Sequence, residues 1–210
     1  MTMQPTSMAA EYDRQYDAWL RRQGPQALDR DWRFKNLLWR QRVLLRRYPP
    51  LGRRVLDFGC MDGIFTLQLQ ARGAHAVGYD VSPAAIAQAV LFRGAATEPT
   101  FTTVPPDPGQ FDLVFCNEVL EHIQDDTGFV GQLTRFLAPG GMLVGTTPVG
   151  RSFWDPDHKR LYDEAMLARA LVPWGAVRIR RYYRSPIRNF LPMRQSGSAV
   201  FIFEVRPLTP

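Results

Sequence analysis

Two hydrophobic rhythms follow one another along the chain. Over residues 31–48 the apolar side chains Phe34, Leu37, Leu38, Leu45 and Tyr48 recur at helical spacing, which predicts one amphipathic helix stopped by Pro49 and Pro50. From Arg53 onward, short apolar runs alternate with helical stretches. Residues 54–58, 76–80, 111–116 and 142–147 read as buried strands, with a shorter one at 100–104. Residues 64–72, 83–92, 127–137 and 163–171 read as helices, Pro83 standing in a first helical turn, and a further helix is expected to start near Val119. Pro139-Gly140-Gly141 reads as a turn before the 142–147 strand. Residues 177–183 and 199–205 read as two last strands, joined by a loop rich in Pro, Arg and Gly.

Strands separated by helices imply a parallel sheet with right-handed crossovers. The last two strands have no helix between them and can pair antiparallel at the sheet edge. The expected architecture is α/β: a seven-stranded, mostly parallel sheet ending in an antiparallel hairpin, helices on both faces, and an N-terminal helical lid. Residues 1–50 are read as the lid and 51–210 as the main domain.

Composition narrows the classes. At 210 residues and 45% hydrophobic, the chain can bury a core, and no apolar run is long enough to span a membrane. Residues 1–11 lack the charged start and apolar stretch of a secretory signal. Two cysteines, Cys60 and Cys116, do not make a disulfide framework, so a cytoplasmic setting is expected. The net charge of +6 is unevenly spread. No acid occurs between Trp32 and Leu56, a stretch with Arg33, Lys35, Arg40, Arg42, Arg46, Arg47, Arg53 and Arg54. None occurs between Ala165 and Phe203, a stretch that includes Arg178, Arg180, Arg181, Arg184, Arg188 and Arg194. Such tracts suit an anionic small molecule or a nucleic acid. With Lys35 and Lys159 as the only lysines, they also suit plain arginine bias on a solvated surface.

The best-defined motif is Val55-Leu56-Asp57-Phe58-Gly59-Cys60-Met61-Asp62-Gly63, between the first strand and the first helix after it. Glycines there permit a sharp turn and close approach of a ligand. Asp57 at the strand end can accept from a cationic amino group or brace the loop. Asp80, 17 residues after Gly63, ends the second strand, where an acid can take both ribose hydroxyls of a nucleoside. The spacing is Gly-x-x-x-Gly, not the Gly-x-Gly-x-x-Gly of dinucleotide enzymes, and no Tyr-x-x-x-Lys pair accompanies it.

Residues 53–148 resemble the core of class I, Rossmann-like S-adenosylmethionine methyltransferases. The resemblance rests on four motifs in order: Val55-Leu56-Asp57-Phe58-Gly59-Cys60; Val77-Gly78-Tyr79-Asp80; Phe111-Asp112-Leu113-Val114 with Glu118-Val119-Leu120-Glu121-His122; and Leu137-Ala138-Pro139-Gly140-Gly141. It implies that Asp57, Gly59, Cys60 and Gly63 hold the methionine half of the donor. Asp80 with its neighbour Val81 would bind the nucleoside, and Asn117 would line the methyl end. Met61 stands where the family has its middle glycine. The family's acid after the third strand has no clear counterpart, Asp107 falling late among prolines, so adenine recognition would rest on backbone groups.

Glu118, Glu121 and His122 are spaced i, i+3, i+4, so on one helical turn they would share a face. His158, in Asp155-Pro156-Asp157-His158-Lys159-Arg160, follows the fifth strand on a loop that can return to the same end. Two carboxylates and imidazoles suit Mg²⁺ or Mn²⁺. Alternatively His122 acts alone as a general base, or the group only braces the fold. Glu-x-x-Glu-His with the later His resembles the metal site of small-RNA 2′-O-methyltransferases and the matching region of ubiquinone-pathway O-methyltransferases. The expected activity is thus methylation, foremost O-methylation of a small-molecule acceptor. The alternatives are an RNA terminal 2′-O-methyltransferase and an inactive donor-binding subunit. Tyr12, Tyr16, Trp19 and Trp32, ahead of the core, are candidates to cover the donor or simply to pack.

Overall fold

The computed structural model describes residues 5–152, 155–184 and 199–208. The chain is α/β, with seven strands in one sheet. It forms two compact units, Met1–Pro106 and Asp107–Pro210. Among the described residues no helix is long and apolar enough to cross a membrane.

The first unit opens with α1 (Pro5–Gln23), a 3-10 turn (Pro25–Leu28), α2 (Arg30–Lys35) and α3 (Trp39–Arg47). It continues with β1 (Arg54–Phe58), α4 (Ile64–Gln70), β2 (His75–Tyr79), α5 (Pro83–Arg93) and β3 (Thr100–Thr102). The strands run parallel in the order β3-β2-β1, Arg54 opposite His75 and Val77 opposite Thr100. Val55 and Leu56 are fully buried, and α4 packs on β1 and β2 through a face including Ile64, Phe65 and Leu69. Ser82 caps α5 by accepting from Ala85 N at 3.0 Å, a contact worth about 1 kcal/mol to a helix.

The second unit contains β4 (Phe111–Asn117), a 3-10 turn (Leu120–His122), α6 (Asp126–Thr134), β5 (Leu137–Pro148), α7 (Glu164–Leu171), a 3-10 turn (Val172–Trp174), β6 (Ala176–Tyr183) and β7 (Ala199–Arg206). β4 and β5 pair parallel, while β5–β7 and β7–β6 pair antiparallel in the order β4-β5-β7-β6. The last strand is therefore inserted inside the sheet. Burial follows: Val200, Phe201 and Phe203 are fully buried, whereas the outer strand β6 alternates exposed Arg178 and Arg180 with part-buried Val177 and Ile179.

Three elements depart from the sequence-based reading. The single helix expected over 31–48 is two, because Asn36 closes α2 by donating its side-chain and backbone N–H groups to Trp32 O, and Leu38 is extended. The turn at Pro139–Gly141 lies within β5. Between Phe111–Leu137 and Leu113–Met142 the register breaks, so these residues form a bulge, with Gly140 at φ 76°. The helix expected from Val119 is one 3-10 turn, since Glu118 is left-handed at φ 56° and Ile123 is extended. A new cap at Asp125, accepting from Gly128 N at 2.9 Å, then starts α6. Within the helical segment expected over 1–50, no helix was delimited at the position of α1, although Tyr12, Tyr16, Trp19 and Leu20 carry its spacing. The loop between the last strands, with Arg188 and Arg194, lies outside the described residues.

Candidate functional site

In the first unit the β1–α4 loop is an ordered cradle. Asp57, 2% exposed, accepts from Thr66 Oγ1 at 2.7 Å, a residue in the first turn of α4. Burial pushes its pKa up to about 7, reinforced by Asp80 and Asp62 and opposed by the Thr66 hydrogen bond. Gly59 N and Cys60 N both donate to Tyr79 O, at 2.8 and 3.0 Å, tying the loop to the end of β2. Met61 holds a left-handed φ of 51°, the conformation of a glycine in a side chain that resists it. Its amide donates to Asp80 Oδ2 at 2.8 Å, while Ser82 N donates to Oδ1 at 2.9 Å. Asp80 is raised by burial against these backbone donors. Each of its oxygens keeps a lone pair, so it can still accept from ligand hydroxyls. Val81 follows, part-buried. Gly63 is glycine for packing as well as turning: at φ 75°, a Cβ would stand 2.5 Å from the Phe101 ring.

The N-terminal helices reach this cradle through two contacts that sequence reasoning missed. Arg33 Nη1 lies 2.6 Å from Oδ2 of Asp62, a carboxylate 2% exposed and raised by burial to about 6. The Arg33 guanidinium sits 4.7 Å over the Trp19 ring, and Trp19 stacks on Tyr16. Asp13 Oδ1 accepts from Ser82 Oγ at 2.5 Å and from Ala84 N at 3.1 Å, adding a second acceptor at the start of α5. An acid in the glycine loop and an arginine in an aromatic helix were each visible in the sequence, but no local pattern joins residues 29 positions apart.

The second unit gathers the other predicted residues at the end of β4. Asn117 pairs in register with Thr146, and the Asn117 amide atoms and Thr146 Oγ1 are buried without a hydrogen-bond partner. Glu118 N donates to Thr146 O at 2.9 Å. Glu121 is 1% exposed and accepts from Thr147 Oγ1 through Oε2 at 3.1 Å. The loop bearing His158 is fastened by Lys159 N and Arg160 N, which donate to Glu121 O at 2.7 and 3.2 Å. One ligand atom from each of Glu121, His122 and His158 falls within 4.8 Å of the others. Glu118 is not in that group, because its left-handed backbone takes it off the turn. Burial lowers the pKa of His122, and neighbouring His158 lowers it further; the Asp157 backbone, Asp155 and Asp157 act in the opposite sense. His158 is also lowered by burial, against Asp155, Glu118 and Asp157. Neutral imidazoles are what a metal site or a general base needs.

Comparison with known proteins agrees with the geometry. A family model described as a methyltransferase domain matches residues 14–188. A ubiquinone biosynthesis O-methyltransferase of Aromatoleum aromaticum is 35% identical over 112 residues, covering 49% of this chain and 46% of that protein. The chain thus spans less than half the length of this curated relative. Among solved structures, an S-adenosylmethionine-dependent methyltransferase from Mesorhizobium loti superposes with a TM-score of 0.64 at 17% identity, covering 79% of this chain and 96% of the other. A Haemonchus contortus phosphoethanolamine N-methyltransferase 2, solved with S-adenosyl-L-methionine, superposes with a TM-score of 0.61 at 18% identity, covering 81% and 53%. Four ordered motifs, the strand order of each unit and a family model spanning both lead to one assignment: the chain belongs to the methyltransferase-domain family, with the Rossmann-like fold of the class I S-adenosylmethionine methyltransferases.

Proposed function

We propose that the protein transfers a methyl group from S-adenosylmethionine to a hydroxyl oxygen of a small-molecule acceptor. The observation that carries this reading is the meeting of Glu121 and His122, from one 3-10 turn, with His158, from a loop 36 residues on from His122, in one cluster. When bound, the donor supplies an electrophilic sulfonium methyl. Asp57 orients the donor's ammonium, the glycine loop lies along its methionine half, and Asp80 accepts from its ribose. The enzyme's contribution is alignment of the two reactants plus removal of the acceptor's proton. The homology of half the chain to ubiquinone-pathway O-methyltransferases supports oxygen as the attacking atom.

The cluster fits a divalent cation. Nδ1 of both His122 and His158 is buried without a hydrogen-bond partner, both rings are held below the ordinary imidazole pKa, and a buried carboxylate stands beside them. Two imidazoles and one carboxylate favour Mn²⁺ over the all-oxygen preference of Mg²⁺. Such a cation would supply Lewis-acid polarisation of the acceptor oxygen. Thr147 fixes the Glu121 carboxylate, and the Glu121 carbonyl holds the His158 loop.

Titration calorimetry with S-adenosylmethionine and its demethylated product tests the first step. Binding that is lost in Asp80→Ala supports the reading, and no binding to pure protein overturns it. Excess EDTA then separates the two forms of catalysis. Loss of turnover with donor binding retained supports the cation, while full activity assigns proton removal to His122 alone.

A further inference from the structure

We propose that Asp126 is a positioning residue whose carboxylate clamps Arg160 and Tyr162, and so sets His158 against the Glu121–His122 turn. Asp126 opens α6, four residues after His122. Its Oδ2 takes two partners from the returning loop. The Tyr162 hydroxyl donates to it at 2.8 Å, and Arg160 Nε lies 3.0 Å away. Arg160 Nη2 also donates to Gln124 O at 2.6 Å, so the guanidinium spans the stretch between His122 and α6. His158 lies two residues before Arg160, and the intervening backbone is pinned by the two amides on Glu121 O.

The arrangement closes a ring of contacts. Glu121 holds the loop's backbone, Asp126 holds the side chains of Arg160 and Tyr162, and His158 immediately precedes the first of these anchored residues. Residues 155–160 have no regular secondary structure, and ordering their backbone costs conformational entropy, so their order depends on such ties. Tyr162 is 1% exposed and its hydroxyl is raised by burial and by the bond to Asp126, so it stays a donor to the carboxylate. Arg160 is part-exposed, which leaves its pair with Asp126 responsive to substitution without opening the core.

The clamp itself is independent of chemistry, whereas its effect on turnover rests on the methyl-transfer reading above. The test uses the full chain and the variants Asp126→Ala, Arg160→Ala and His158→Ala. Amide hydrogen exchange should quicken at Lys159 and Arg160 in the first two variants and stay near wild type in the third. The nuclear Overhauser contact between the His122 and His158 rings should vanish in the first two. In turnover, Asp126→Ala should lower kcat about ten- to hundredfold with donor KM within about twofold, since small displacements of a reacting group cost about that much. Combining it with His158→Ala should add no further loss. Unchanged exchange and an intact ring contact in Arg160→Ala would overturn the clamp, even if Asp126→Ala failed to fold. Multiplying losses in the double variant would overturn its action through His158. Faster exchange in a protein that methylates no acceptor would uphold the clamp and count against the methyl-transfer reading alone.

Discussion

The imidazoles of His122 and His158 meet edge to face, ring centroids 4.8 Å apart and planes at 82°. Burial and the second ring keep the first one neutral, so charging either is opposed by the other. Both pKa values are depressed. Their contribution to stability is therefore complete above the ordinary histidine value of about 6.5 and is lost as pH falls through the lowered folded values. Ring-proton NMR titration should place both midpoints below the ordinary value. His158→Ala should raise the His122 midpoint, and an unmoved His122 would contradict the coupling.

Asp57 predicts the opposite pH dependence. Its folded pKa of about 7 lies above the ordinary carboxylate value, so the donor-free protein has this stability in full below about pH 4 and loses it as pH rises through 7. Asp57→Asn should stabilise the donor-free protein at pH 8 by on the order of 1–4 kcal/mol while weakening donor binding. A donor ammonium reverses the preference. Calorimetry at pH 6 in two buffers of different ionisation heat should then show proton release on binding. Identical heats would remove Asp57 as the ammonium's partner.

The buried pair of Arg33 and Asp62 should be costly to break from one side. Arg33→Leu leaves a carboxylate 2% exposed without its cation, a change worth about 3–5 kcal/mol in buried pairs. Thermal unfolding should show a large fall for Arg33→Leu and substantial recovery when Asp62→Asn is added. Additive losses would mean that the pair is not coupled.

Gly63→Ala should destabilise for two separable reasons, a left-handed backbone at φ 75° and a Cβ driven into the Phe101 ring. We expect a loss of about 1–3 kcal/mol for such overpacking, with partial rescue by Phe101→Leu. Urea unfolding of the two single variants and the double variant checks this. No rescue would assign the whole cost to the backbone.

The order of strands and helices was legible in the sequence because hydrophobic period and caps are local. β1, β2, β4 and the start of α5 fall within a residue of where periodicity and Pro83 put them. The positions of the residues proposed for the donor were legible for the same reason, since Asp57, Gly59 and Asp80 lie at or just after the ends of β1 and β2 and Gly63 at the start of α4, boundaries that the period itself marks. Glu118 shows where this reasoning stops. Its i, i+3, i+4 relation to Glu121 and His122 presumes a helix, whereas Glu118 N still donates to Thr146 O on β5 and the backbone there is left-handed at φ 56°. Likewise, the terminal hairpin was expected at the sheet edge and lies there, but which of its strands is outermost was not legible: β7 is interior and β6 outer, because they differ in how many faces they bury, which only the packed sheet decides. The sequence by itself determined the fold class, the strand ends and the residue types at them. The tertiary structure alone decided which distant groups share a desolvated space: Arg33 with Asp62, His158 with His122, and Asp126 with Arg160 and Tyr162. Those pairings depend on long-range packing and dielectric, and neither has a period that a linear sequence can display.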